Sequence, residues 1–148
     1  SKIKLTGGEP LVRKGLPDLL GKIKRISGIE QVTLTTNGIL LKNQLDELMR
    51  QGLDAVNISI DTLDETCYHT VTRCGELNQA LEGLQAALEY PNLRVKLNCV
   101  PMNQSEEEYI QLAEYAKEYP LEVRFIEMMP IGMGNPIREN QEMSFWNF

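Results

Sequence analysis

The chain has 148 residues, of which 42% are hydrophobic and 24% are charged, and its formal net charge is −6. This length is enough for one domain with a real core, and the composition is ordinary for a soluble globular protein. The acidic balance argues against broad nucleic-acid binding, which favours basic surfaces. No apolar run is long enough to span a membrane, and the first residues do not resemble a signal peptide.

Strand-like and helix-like segments alternate along the chain. Hydrophobic periodicity predicts strands at residues 1–6, 30–36, 54–60, 92–99 and 121–127. It predicts helices at about 16–27, 40–51, 64–90 with a break, and 105–119. The pairs Thr62/Glu65 and Ser105/Glu108 have the spacing of capping boxes. Right-handed crossovers between such elements build parallel strand pairs, and five strands are too few to close a (β/α)8 barrel.

Each predicted strand has one apolar face and one polar face. The polar positions in chain order are Lys2, Lys4, Thr6, Thr33, Thr35, Asn57, Ser59, Lys96, Asn98, Glu122 and Arg124. Strands of a parallel sheet that is covered on both faces have continuous apolar runs instead. We therefore predict helices on one face only, and a sheet curled so that its other face lines a polar cavity.

The predicted cavity face is basic, although the chain as a whole is acidic. It holds Lys2, Lys4, Lys96 and Arg124 against the carboxylate of Glu122. A basic interior in an acidic protein indicates an anionic small ligand. A cation within a strand needs either an opposing charge or a ligand, because an unpaired buried charge is costly. For Lys96 and Arg124 we favour ligand contact over a structural ion pair with Glu122.

Polar or glycine-containing segments follow the predicted strands, where ligands gather in parallel α/β folds. Gly7 and Gly8 allow a ligand to approach the backbone closely, and Glu9 can accept hydrogen bonds from an ammonium; a turn with a capping carboxylate accounts for them equally well. Residues 35–38 either contact a ligand or form a turn without a functional role, since Asn-Gly is common in turns. Asp61 is interpreted as a helix cap, and His69 is assigned no role.

Five segments together resemble the radical S-adenosylmethionine (SAM) enzymes. They are Lys2–Leu11, which contains the GGEP motif, Thr35–Gly38, Val56–Asp61, Val95–Asn98 and Arg124–Pro130. In order and spacing they are similar to one branch, the molybdenum cofactor biosynthesis protein A family of GTP 3′,8-cyclases. GGEP is shared across the superfamily, whereas residues 59–64 and 124–130 are specific to that branch. The resemblance implies an α/β fold, a partial open (β/α)6 TIM-like barrel of parallel strands over residues 1–130, with helices on the outer face and a loop or linker tail at 131–148.

The resemblance also implies an activity. That family is cytoplasmic and uses SAM and two 4Fe–4S clusters to convert GTP to (8S)-3′,8-cyclo-7,8-dihydroguanosine 5′-triphosphate, a lyase reaction that begins molybdenum cofactor biosynthesis and supplies a downstream pterin synthase. The residues that the resemblance carries to SAM contacts are Gly8, Ser59 and Met129, with Gly7 and Glu9 in the same motif. Those that it carries to GTP contacts are Lys4, Thr35 and Lys96, with Lys2 and Arg124 as neighbours.

Some features depart from the family pattern. The CxxxCxxC loop expected before residue 1 and the second cysteine set expected after residue 148 are missing, and the spacings of Cys67, Cys74 and Cys99 cannot replace them. We therefore interpret the chain as a central fragment that binds no cluster, is inactive by itself and keeps its cysteines as reduced thiols. Lys4 stands where the family usually has arginine, and lysine loses the bidentate fork. The sheet edge beside Lys2–Leu5 favours dimerisation.

Three alternatives to the cyclase stay open at this point. One is another radical SAM enzyme. The second is a Schiff-base lyase with Lys96 as its nucleophile, which requires a Lys96 pKa well below normal. The third is a non-catalytic nucleotide-binding module, which requires GTP binding that is independent of any cluster.

Overall fold

The computed structural model describes residues 1–72, 76–101 and 105–126, with the side chains of 70–72 left aside. Its five strands form one parallel sheet in the order β1-β2-β3-β4-β5, so each strand neighbours the next along the chain. The strands are Lys2–Leu5 (β1), Gln31–Thr36 (β2), Ala55–Ser59 (β3), Arg94–Cys99 (β4) and Leu121–Phe125 (β5). The predicted strands and their parallel pairing are confirmed. The predicted boundary at residue 130 and the predicted tail at 131–148 lie outside the described residues.

Helices connect the strands, as the alternation predicted. They are α1 (Leu16–Lys24), α2 (Leu41–Arg50), α3 (Glu65–Thr72), α4 (Leu77–Leu88) and α5 (Glu106–Glu118), preceded by a short 3-10 helix at Pro10–Val12. The break predicted in the third helical segment separates α3 from α4. None of the helices within the described ranges is long and apolar enough to cross a membrane.

The N-terminal caps of helices α3 and α5 test three of the predicted capping residues. Helix α5 begins at the predicted capping box, in which Ser105 and Glu108 each accept a backbone N–H of the other. The predicted box at Thr62 is wrong, because α3 begins only at Glu65. The Thr62 hydroxyl instead accepts the Asp64 N–H at 3.0 Å and donates to the Glu108 carboxylate at 2.8 Å. The predicted cap at Asp61 is also wrong for α3, since Asp64 accepts the Cys67 N–H at 2.7 Å and caps that helix.

The sheet has one face packed against helices. Alternate strand residues are buried there in one core with apolar residues of the helices: Val32, Leu34, Val56, Ile58, Val95 and Leu97 from the strands, and Leu20, Leu45, Leu48, Leu84 and Leu112 from the helices. Full burial of one such side chain stabilises the fold by about 1.5–3 kcal/mol. The one-sided covering that the alternation predicted is thus confirmed for the described part of the chain.

The opposite side of the sheet, called here the polar face, is ordered in rows by the strand register. The first row runs across the sheet as Lys4, Thr33, Ala55 and Arg94. The second row is Thr35, Asn57, Lys96 and Glu122. The third row is Ser59, Asn98 and Arg124. Lys4, Lys96 and Arg124 therefore share one face, as the sequence predicted.

Two glycines bring the loop after β2 directly against α4. Gly38 has φ +85°, and a Cβ there would lie 3.0 Å from the Ile58 side chain and 3.2 Å from the Ala80 carbonyl oxygen. A Cβ at Gly83 would overlap the Gly38 carbonyl oxygen and lie 3.1 Å from its carbonyl carbon. Neither position has room for another side chain, so the two glycines set the height of this loop above the sheet.

Candidate functional site

The loop after β1 presents its backbone to open space. Gly7 has φ +136°, a conformation that side-chain-bearing residues rarely adopt. A Cβ built at either Gly7 or Gly8 would meet no atom within 4 Å. The backbone N–H and C=O groups here are therefore accessible to a ligand lying above the carboxyl ends of the strands.

Glu9 joins this loop to the loop after β2. Its Oε1 accepts the Leu11 N–H at 3.0 Å and the Thr36 hydroxyl at 2.8 Å. Its Oε2 accepts the Asn37 N–H at 2.7 Å. Both oxygens thus have donors from the chain itself, one of which caps the 3-10 helix. Of the two explanations that the sequence left equal, the structure contains the capping carboxylate.

The loop after β2 is an ordered turn. The Thr36 hydroxyl accepts the Gly38 N–H at 3.1 Å, and the Asn37 side chain accepts the Ile39 N–H at 3.1 Å. These local bonds are the turn chemistry that the sequence offered as one alternative. They leave Thr35, whose side chain belongs to the polar face, immediately before the loop.

The middle of the polar face holds amide and hydroxyl groups. Asn57 is 4% exposed, and its amide lies 3.5 Å from the Thr35 hydroxyl. Ser59 is half-buried in the next row, beside Asn98. The Asn98 Oδ1 atom is buried and has no hydrogen-bond partner within the described structure. A buried acceptor of this kind is costly unless a further group completes it, which makes this part of the face suited to a polar ligand.

The cations of the polar face differ in their pairing. Lys2 and Lys4 are exposed on β1. Lys96 lies 2.7 Å from one oxygen of Glu122, and the Arg124 Nε donates to the other. The hydrogen bond from Lys96, and then that from Arg124, holds the pKa of Glu122 below its usual range. The ion pair that the sequence analysis ranked second to ligand contact is therefore present, while ligand contact by Lys96 and Arg124 stays a prediction.

Two hydrogen bonds connect the residues that follow β3 to the end of β4. Asp61 accepts the Val100 N–H at 2.9 Å through its carboxylate, and the Cys99 thiol donates to the Asp61 carbonyl at 3.3 Å. Burial raises the pKa of Asp61, and the Val100 bond opposes that shift. Burial, together with the charges of Asp61 and Glu108, raises the pKa of the Cys99 thiol to about 12.

The two described cysteines are expected to differ sharply in reactivity. At pH 8 the Cys99 thiol is almost entirely protonated, because its pKa is raised to about 12. Cys67 is half-buried within α3. Iodoacetamide at pH 8 followed by peptide mapping is expected to label Cys67 at least tenfold faster than Cys99 in the native protein. Equal labelling rates would contradict the buried thiol, and labelling in denaturant is the control.

Cluster ligands are not found in this part of the chain. Within the described residues, no three His, Cys, Asp or Glu side chains are grouped so that they could hold a metal ion. Cys74 and the candidate SAM residue Met129 lie outside the described residues. The remaining candidates are brought to one side of the molecule: the open loop at Gly7 and Gly8, and the polar face with its lysines.

Comparison with known proteins places this arrangement in a family. The model of the Radical SAM superfamily matches residues 1–116. The chain belongs to the radical SAM superfamily. This radical SAM chain is 46% identical over 138 residues to the GTP 3′,8-cyclase of Clostridium perfringens (strain 13 / Type A), across 93% of the chain and 42% of that protein.

Other curated relatives give the same picture. The GTP 3′,8-cyclase of Heliobacterium modesticaldum is 45% identical over 135 residues, which cover 90% of this chain and 41% of the relative. That of Petrotoga mobilis is 42% identical over 148 residues, which cover 99% and 46%. The radical SAM chain therefore spans less than half the length of the relatives it matches.

Solved structures share its fold at low sequence identity. Streptococcus suis SuiB matches with a TM-score of 0.70 at 20% identity, over 95% of this chain and 32% of SuiB. Coproporphyrinogen III oxidase of Escherichia coli, a radical SAM enzyme, matches with a TM-score of 0.63 at 18% identity, over 88% and 32%. The likeness concerns the fold alone, and it confirms the predicted partial, open TIM-like barrel.

Three features of the site escaped the reading of the sequence. Gly83 lies within a helix, where a glycine in the sequence is only a weak indication of close packing against another segment. The bond from Thr62 to Glu108 joins residues 46 positions apart, which no local motif reports. Asn98 was placed on the polar face, but its buried acceptor was not evident from its residue type.

Proposed function

We propose that this chain is the SAM- and GTP-binding part of a GTP 3′,8-cyclase, which converts GTP to (8S)-3′,8-cyclo-7,8-dihydroguanosine 5′-triphosphate. One observation carries the proposal: the register brings Lys4, Thr35, Lys96 and Ser59 to one open face, next to the accessible loop at Gly7 and Gly8. Identities of 42–46% to named cyclases over most of this chain support it.

The SAM side of the proposed site consists of backbone and hydroxyl groups. The carbonyl and N–H groups of Gly7 and Gly8 would bind the methionine end, and Ser59 would donate to or accept from the sugar. The open space over both glycines fits a polar ligand, as does the Asn98 acceptor near Ser59, which has no partner within the described residues. Met129 completes the proposed set. When bound, SAM supplies a 5′-deoxyadenosyl radical that removes a hydrogen atom from the ribose of GTP.

The GTP side of the proposed site is cationic. Lys4 lies on β1, and Thr35 on β2 shares a row of the polar face with Lys96 on β4. Lys2 lies on β1 and Arg124 on β5. Ammonium and guanidinium groups on one face attract and orient a triphosphate. The hydroxyl of Thr35 would add a hydrogen bond to the nucleoside.

Several parts of the proposal concern the whole protein. The described residues do not fit an iron–sulfur cluster, so we place the ligands of two 4Fe–4S clusters in other parts of the protein. For the given chain, a homodimer is supported by the β1 edge, which pairs only with β2 among the described strands. The free thiols of Cys67 and Cys99 support a cytoplasmic location. A pterin synthase would consume the product.

The ion pair weighs against the Schiff-base alternative. A lysine nucleophile needs an amino group that is free to attack a carbonyl carbon, whereas the Lys96 Nζ is engaged by the Glu122 carboxylate at 2.7 Å. The non-catalytic binding module is separated from the cyclase by experiment, because it binds GTP without turnover.

The test uses the full-length protein with its clusters restored under anaerobic conditions, SAM and dithionite. The name of the expected product describes an isomer of GTP, so the expected result is loss of GTP, a new peak of equal mass on chromatography, and 5′-deoxyadenosine. ATP in place of GTP is the control and is expected to give no such isomer. GTP binding without any product would support the non-catalytic module instead.

A further inference from the structure

Glu122 is the one carboxylate among the described residues of the polar face. The register places it directly beside Lys96, and Arg124 follows two residues later on the same face of β5. Lys96 contacts its Oε2 at 2.7 Å, and the Arg124 Nε donates to its Oε1. One carboxylate thus connects two cations that come from neighbouring strands.

The contacts with Glu122 leave donors on both cations. An ammonium has three N–H groups, and Lys96 uses one of them on Glu122. A guanidinium has five, and Arg124 uses its Nε–H, so its terminal amino groups stay available as a fork for phosphate. The side chains of Lys96 and Arg124 are 26% and 47% exposed, so a ligand on the polar face can reach them.

Glu122 also decides where the two charged groups lie. Neighbouring strands are about 4.8 Å apart, and two long cationic side chains at such positions repel each other and sample many rotamers. A carboxylate between them removes the repulsion and orders both side chains before any ligand binds. Binding a phosphate chain then costs less conformational entropy.

We propose that Glu122 is a positioning residue, which holds Lys96 and Arg124 together so that their remaining N–H groups bind the triphosphate of the substrate. This inference rests on the proposed function, because it takes a nucleoside triphosphate as the ligand. The negative charge of Glu122 itself repels phosphate. That effect is screened, since Glu122 is 50% exposed to water and salt, and the ordering of two long side chains outweighs it.

The test compares Glu122→Gln with the wild type in the full-length enzyme. Glutamine has the same shape but keeps a single acceptor and no charge. The KM for GTP is expected to rise roughly tenfold, while kcat and the KM for SAM change less than about twofold. The inhibition constant of inorganic tripolyphosphate is expected to rise by the same factor as the KM for GTP. Glu114→Gln, which removes an equal charge from an exposed position of α5, is the matched control and is expected to change neither.

The possible results test the cyclase assignment and the positioning role of Glu122 separately. If GTP is converted and the KM of Glu122→Gln is unchanged or lower, the positioning role is overturned and the cyclase assignment stands. If the wild type converts no GTP, the cyclase assignment fails, and direct binding of tripolyphosphate decides the role of Glu122. Tighter binding by the wild type than by Glu122→Gln would still support positioning, whereas equal binding or none would overturn it.

Discussion

Gly83→Ala is expected to be among the most destabilising single substitutions in this protein. The new Cβ would overlap the Gly38 carbonyl oxygen, a backbone atom that can move only if the loop after β2 moves. Overpacking of this kind costs about 3 kcal/mol, which lowers the midpoint of thermal unfolding by roughly 6–12 °C in a domain of this size. GTP conversion is expected to fall as well, because the displaced loop follows β2, the strand that carries Thr35.

Gly21→Ala is the matched control for this substitution. Gly21 is also a buried glycine within a helix, but the three atoms nearest to its Cβ would all belong to the side chain of Gln51, whose far end can rotate away. Alanine is favoured over glycine in a helix by about 1 kcal/mol, so this variant is expected to be neutral or slightly more stable. Thermal unfolding of both variants, followed by circular dichroism, measures the difference. Equal midpoints would show that the contact between Gly38 and Gly83 is not as close as described.

Glu9→Gln is expected to weaken both stability and SAM binding, although glutamine has the same shape as glutamate. One oxygen of the amide would still accept from Leu11 and Thr36, but the amide nitrogen would face the Asn37 N–H, which Glu9 accepts at 2.7 Å. Two donors would then point at each other in a half-buried site. The cost is about 1–3 kcal/mol for a hydrogen bond that is lost without replacement.

The effect of Glu9→Gln on binding distinguishes positioning from direct contact. Because both Glu9 oxygens have partners in the chain, we expect the loss of SAM affinity to follow the loss of stability and to be about 5- to 150-fold. Glu82→Gln, in which an exposed pair with Lys42 is removed, is the control and is expected to leave both properties nearly unchanged. Urea unfolding and equilibrium dialysis with labelled SAM measure the two quantities. Weakened SAM binding with unchanged stability would instead indicate that Glu9 touches SAM directly.

The architecture could be predicted because it follows from short-range patterns. Alternation of period two marked the strands and their polar face, and helical segments between them implied parallel pairs. Ser105 and Glu108 form their predicted capping box because both partners are local. The same pattern failed at Thr62, because Asp64 caps α3 and the Thr62 hydroxyl accepts the Asp64 N–H while donating to Glu108 of a distant helix.

The details of the site depend on register and on three-dimensional contacts. The sequence placed Lys96, Arg124 and Glu122 on one face but could not show that Lys96 and Glu122 are direct neighbours. The pairing register of β4 with β5 thus determines whether Lys96 and Arg124 are unpaired cations or form an ion pair with Glu122. Likewise, Thr36 and Asn37, which donate to Glu9, are 27 and 28 residues away from it in the sequence. Whether Glu9 contacts a ligand or caps a turn therefore could not be predicted without the three-dimensional fold.

The central claim is that SAM and GTP meet on the polar face beside the loop at Gly7 and Gly8. The most direct measurement uses GTP deuterated at C3′ of the ribose, the carbon that the product name shows to be joined to C8. With the full-length enzyme, SAM and dithionite, 5′-deoxyadenosine is expected to gain one deuterium, as detected by mass spectrometry. Unlabelled 5′-deoxyadenosine formed at the same rate with and without GTP would contradict the claim.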